Sequence, residues 1–145
     1  MVQSADHRSF GRRKSFFFRL KSSLVEAVRV YTRYDLPDEK DDTRRERNAR
    51  VGVISPDFVL PDEGLYLWDW YQEINSSVSR VRDGYYFLIP PSEFLAWSKL
   101  TGNLINPMEY EILKAMDVSF CNEMNKDLKA KQDKELELKG NKRHG

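Results

Sequence analysis

The chain is poor in the residues from which most active sites are built. It has one cysteine and two histidines in 145 residues. The single Cys121 excludes an internal disulfide and suits a reducing cytoplasm. His7 and His144 lie at opposite ends, and Cys121 has no second cysteine or histidine nearby, so metal-ligand spacing is missing and a Cys–His nucleophile pair has no support. The seven glycines form neither a P-loop nor a dinucleotide-type loop, which removes the usual phosphate cradle. Asp69, Glu73, Glu109 and Glu111 are read as solvated helix faces rather than acid–base pairs. No apolar run approaches the roughly 18–20 residues that span a bilayer, and the basic N-terminus lacks the continuous apolar segment of a signal peptide. The expectation is a soluble intracellular protein, an interaction module rather than an enzyme.

What is present is unevenly spread. Hydrophobic residues make up 40% and charged residues 32% of the chain, with a mean hydropathy of −0.68. The net charge of +1 hides opposed regions, with residues 1–33 strongly basic and residues 51–117 strongly acidic. Two readings of this asymmetry stand side by side: a polyanion-binding arm, or a basic segment resting on its own acidic domain. Arg12, Arg13, Lys14, Arg19 and Lys21, interleaved with phenylalanines, would serve a nucleic-acid or lipid contact. The plainer reading is a positive helix start whose phenylalanines pack on the core. It is preferred because no wider nucleic-acid signature accompanies the segment.

Residues 1–14 read as disordered. From residue 15 to 34, Phe17, Leu20, Leu24, Val28 and Tyr31 recur at three- and four-residue spacing, which predicts an amphipathic helix. Residues 35–50 have too few apolar side chains to order themselves and read as a linker, with at most a fraying helix at the end. Gly52, Pro56 and Pro61 interrupt residues 51–61, leaving an extended strap over the core. Asp62 is a candidate cap for a helix reaching about residue 79, with Leu65, Trp68, Tyr71, Ile74 and Val78 inward and Leu67 and Trp70 widening the stripe. Residues 85–89 suit either a strand or an anchoring loop. Pro90 and Pro91 open the next helix and Gly102 stops it, with Phe94, Trp97 and Leu100, together with Leu95, on its buried side. Asn106 as cap, Pro107 at the first position and Glu109 reaching back open the last helix. Along it Met108, Ile112, Met116, Phe120, Met124 and Leu128 step by four, so the inner half belongs to the core and the outer half drifts into solvent. The predicted fold class is all-α: three to four helices with short connections and disordered charged tails. Its divisions are residues 1–50 (basic helix and linker), 51–128 (helical core domain) and 129–145 (charged tail).

All three tryptophans fall within residues 65–117. Trp68 and Trp97 sit on apolar helical faces. Trp70 points about 200° from Trp68, so one neighbouring surface cannot bury both. One of Trp68, Trp70 and Tyr71 is therefore either covered by the strap or exposed as an anchor, and these residues with Trp97 are the candidate partner-binding residues.

The ordered blocks Leu67-Trp68-Asp69-Trp70, Ala96-Trp97-Ser98 with Leu100-Thr101-Gly102, and Pro107 with Glu109 followed by Met116-Asp117 resemble the tail assembly chaperones of long-tailed bacteriophages and prophages. The resemblance covers roughly residues 61–121. It implies a non-enzymatic protein that binds the tape-measure protein, keeps its long helices soluble, recruits tail-tube subunits in the host cytoplasm, and is absent from the mature virion. Some such proteins are made by frameshifting, and residues 1–50 have no counterpart in the pattern. Met108 also departs from it, standing where a tryptophan is common. The alternatives are a small nucleic-acid-binding or regulatory protein, and a structural tail or connector component.

Overall fold

Leucine and valine spacing makes residues 15–34 a helix, and the computed structural model extends that helix, α1, over Gln3–Tyr34. The model describes residues 3–144, with side chains for residues 11–143. Residues 1–2 and 145, part of the expected irregular ends, lie outside the described residues, as do the side chains of His7 and His144. Residues 3–14 are thus helical rather than irregular. They hold no proline and one glycine, Gly11, so a helix nucleated by its packed half propagates through them cheaply.

Four more helices follow among the described residues: α2 (Arg44–Arg50), α3 (Leu65–Ser77), α4 (Pro91–Thr101) and α5 (Pro107–His144). A 3-10 turn occupies Asp62–Gly64, and a two-stranded antiparallel hairpin pairs β1 (Val81–Arg82) with β2 (Tyr85–Tyr86). The fold is all-α.

Helices α1 and α5 lie side by side in the same direction. Phe17 and Lys21 flank Met108 and Ile112 at one end. Ser119 donates to the Val25 carbonyl at 2.9 Å further along. Arg33 reaches Glu123 and Asp127, each at 3.9 Å, at the other end. Leu20, Leu24 and Val28 of α1 meet Ile112, Leu113 and Met116 of α5 in one core with Leu67, Tyr71 and Ile74 of α3. The expected boundary at residue 50 therefore does not hold, because α1 is part of the core.

The acidic and basic run at residues 35–50 is ordered by ion pairs and a cap. Thr43 and Glu46 form a capping box, with Glu46 N donating to Thr43 Oγ1 at 3.2 Å and Thr43 N donating to Glu46 Oε2 at 3.0 Å. Arg45 holds Asp35 at 2.7 Å and also donates to the Pro56 carbonyl at 2.7 Å, tying the strap down. Apolar content alone does not reveal this order, since charged neighbours and a cap replace burial.

Asp62 does not cap α3. It opens the 3-10 turn, whose flanking residue is Pro61, and α3 itself starts after Gly64 with no side-chain cap. Gly64 is required by closeness: a Cβ there would lie 2.9 Å from Leu20 Cδ1 and 3.1 Å from Leu24 Cδ2. Both leucines are buried, so Gly64→Ala forces the core apart. The expected loss is on the order of 1 kcal/mol, overpacking outweighing the entropy gained by leaving glycine. A urea midpoint that is unchanged or raised would contradict that close approach.

Asp83 and Gly84, at φ 52° and 84°, form the tight turn of the hairpin, in the pattern two-residue hairpin loops demand. Gly102 at φ 74° ends α4, and Asn106 with Glu109 forms the capping box of α5 at 2.8 and 3.0 Å, both as expected. Helix α5 continues through His144, so the charged tail is helical. Asp127, Lys131, Glu135 and Lys139 alternate in sign at four-residue steps, a spacing that supports a solvated helix by about 0.2–0.5 kcal/mol per pair.

Candidate partner-binding surface

The inward face of α3 is centred on Leu67, Tyr71 and Ile74, each at most 1% exposed. Trp68 and Trp70 stand about 100° and 60° to either side of Leu67, one on each shoulder of this face. They are thus about 160° apart across this face (about 200° the other way round), a separation served by two different neighbours rather than one.

On the first shoulder Trp68 packs edge-on against Tyr31 of α1 at 5.4 Å and stacks on Phe58 of the strap at 5.6 Å. Phe58 also meets Tyr31 at 6.1 Å, closing an aromatic triangle that fastens residues 53–60 to the core. On the second shoulder Trp70 meets Trp97 of α4 at 5.5 Å and Tyr66 edge-on at 5.1 Å. Trp68 and Trp70 remain half-buried, and Trp97 is buried. Burial, followed by hydrogen bonding to Glu109, pushes the Tyr66 phenol up to about 12, so it stays a neutral donor.

Tyr71, expected among the binding residues, is fully buried. It belongs to a polar knot that joins α3, the hairpin and α5. Asp117 accepts from the Tyr71 hydroxyl at 2.9 Å, from the Ile89 N–H at 2.8 Å and from the Arg80 guanidinium. Arg80 also donates to the Asn75 side chain and to the Phe87 carbonyl, the latter at 3.2 Å, and lies 4.9 Å from the Phe120 ring. Burial works against the Arg80 charge, but Asp117 and Tyr71 outweigh it and hold its pKa up. Burial, with the Asp117 charge, pushes the Tyr71 hydroxyl up and the Cys121 thiol up to about 11, which keeps that thiol protonated and inert. Asn125 completes the clasp, accepting from Tyr86 N–H at 2.9 Å and donating to Tyr86 O at 3.0 Å.

Of the four candidate residues, Tyr71 and Trp97 are inside, while Trp68 and Trp70 are half-buried, Trp68 against Phe58 of the strap and Trp70 against Tyr66. Tyr66 is 40% exposed, Leu65, 44% exposed, lies about 140° from Trp70 round α3, and Leu100 and Leu104, at and just after the end of α4, are 88% and 81% exposed. Leu100, expected to be buried beside Trp97, is thus a surface residue. Leu65 and Leu95 were likewise expected inward and are 44% and 57% exposed, because an apolar residue in a helical stripe reads as core unless the centre of the stripe is known. Pro91, Leu95, Ile105 and Tyr110 line a shallow cavity of about 180 Å³ between α4 and α5.

Among the described residues no three His, Cys, Asp or Glu side chains are arranged to hold a metal ion, and no helix is long and apolar enough to cross a membrane. No family model, curated protein or solved structure matches this chain.

Proposed function

We propose that the protein is an assembly chaperone that shields apolar stripes of a long helical partner, the tape-measure protein of a long-tailed phage or prophage, and helps recruit tail-tube subunits. On this reading it works in the host cytoplasm, uses no cofactor, catalyses no reaction and leaves before the virion matures. The observation that carries it is the half-buried Trp70, packed on Trp97 and on the 40% exposed Tyr66, with Leu100 and Leu104 exposed beyond Trp97 in sequence. Side chains of this kind beside a rigid aromatic pair suit an amphipathic helix lying across them. The resemblance of residues 61–121 to tail assembly chaperones supplies the identity of the partner. The charged outer half of α5 would keep such a complex soluble.

Co-expression with the tape-measure protein encoded beside it is expected to yield a soluble complex that neither chain forms alone. Leu100→Glu with Leu104→Glu, at highly exposed positions, should reduce recovery of that complex about tenfold or more while leaving the chaperone folded, as loss of anchor contacts does. A tape-measure protein that stays insoluble, or a complex indifferent to both substitutions, refutes the reading. Recovery of the chain from purified mature particles would replace it with a structural tail component.

A further inference from the structure

Every arginine from Arg29 to Arg80 is paired with a carboxylate. In the first half of α1 the pattern reverses: Arg12, Arg13, Arg19 and Lys21 make no ion pair among the described residues. The three arginines are exposed, and Lys21 lies 5.8 Å from the centre of the Phe18 ring. Phe18 itself is 64% exposed and Phe16 40%. The expectation that these phenylalanines pack on the core holds for Phe17 alone.

Lys14, Phe17 and Lys21 of α1 line a cavity with Met108, Glu111 and Ile112 from the first turns of α5. From Gln3 to Lys21 the helix is about 28 Å long at 1.5 Å per residue. Glu111 of α5 lines that cavity with Lys14 and Lys21, and none of the three arginines does.

We propose that the first half of α1 docks on the phosphate backbone of duplex DNA, independently of the partner-binding surface around Trp70. Phe16, Phe17 and Phe18 are consecutive and fan over about 200° of the helix, with cations between them. A helix lying in a lipid interface needs its apolar residues gathered on one face, which this segment lacks. The major groove of DNA admits a helix and sets phosphates on both sides of it, matching cations that point in several directions.

The test is fluorescence anisotropy of the full-length protein with a labelled duplex of arbitrary sequence, across a salt series. If four phosphates are neutralised, the logarithmic salt slope is about −3.6, so affinity falls about 100-fold for a fourfold rise in salt. Arg12→Glu, Arg13→Glu and Arg19→Glu together should abolish binding at low salt, with circular dichroism and melting temperature unchanged. Absence of duplex binding at low salt, equal binding by the triple variant, or preferential partition onto phosphatidylserine vesicles would each overturn the proposal. A protein that binds DNA yet fails to solubilise the tape-measure protein would retain this inference and lose the chaperone reading.

Discussion

Asp117→Ala is expected to cost about 3–5 kcal/mol, the range for removing one partner of a buried ion pair. Asp117 and Arg80 are 1% and 7% exposed. Truncation strands a buried guanidinium and also leaves the Tyr71 hydroxyl and the Ile89 amide without their acceptor. Replacing both members with apolar residues, Asp117→Leu with Arg80→Met, should recover part of the loss, because a well-packed apolar pair avoids the desolvation of two charges. Urea unfolding of the two single variants and the double measures the coupling. A loss under 1 kcal/mol for Asp117→Ala, or a double variant no better than the sum of the singles, would show that the knot does not hold the hairpin to α5.

Removal of residues 1–50 is expected to abolish the cooperative fold. Leu20, Leu24, Val28 and Val30 are at most 5% exposed. Burying such side chains contributes about 1.5–3 kcal/mol each, so the four together supply roughly 6–12 kcal/mol, comparable to the whole stability of a typical domain. A chain beginning at residue 51 should therefore give low helical signal, bind hydrophobic dyes and aggregate on gel filtration. Deletion of residues 1–11 alone should leave the core intact. A sharp unfolding transition from the shorter fragment would show that residues 51–128 fold without α1.

Capping and periodicity made the local elements legible. Pro91, Gly102, Asn106 and Glu109 each occupy the helix-end position that their chemistry favours, and the four-residue step on α5 correctly separates its buried inner half from its outer half. The registers between elements were less accessible. The stripe on α3 was placed through Leu65 and Trp68, whereas its centre runs through Leu67, because α1 and the strap approach from one side and α4 from the other. The Asp83–Gly84 pair is a hairpin signal, but its flanking strands, Val81–Arg82 and Tyr85–Tyr86, are too short to show a strand pattern. Asp117 looked like the polar end of a motif. Its role depends on Arg80, 37 positions earlier, and no local pattern couples the two. The aromatic blocks therefore serve mostly to assemble the core, and the surface left for a partner lies at their margin.

The parallel packing of α1 on α5 carries a kinetic consequence. The bond from Ser119 to Val25 spans 94 residues, and the apolar face of α1 has no α5 to cover it until those further residues have been made. At a synthesis rate of 5–20 residues per second, α1 waits about 5–20 s for that cover. Closure of so long a loop also slows the search for the native arrangement. The protein thus passes its own period of uncovered apolar surface before it matures, and its yield in a cell should depend on translation speed and on general holdases more than its small size implies.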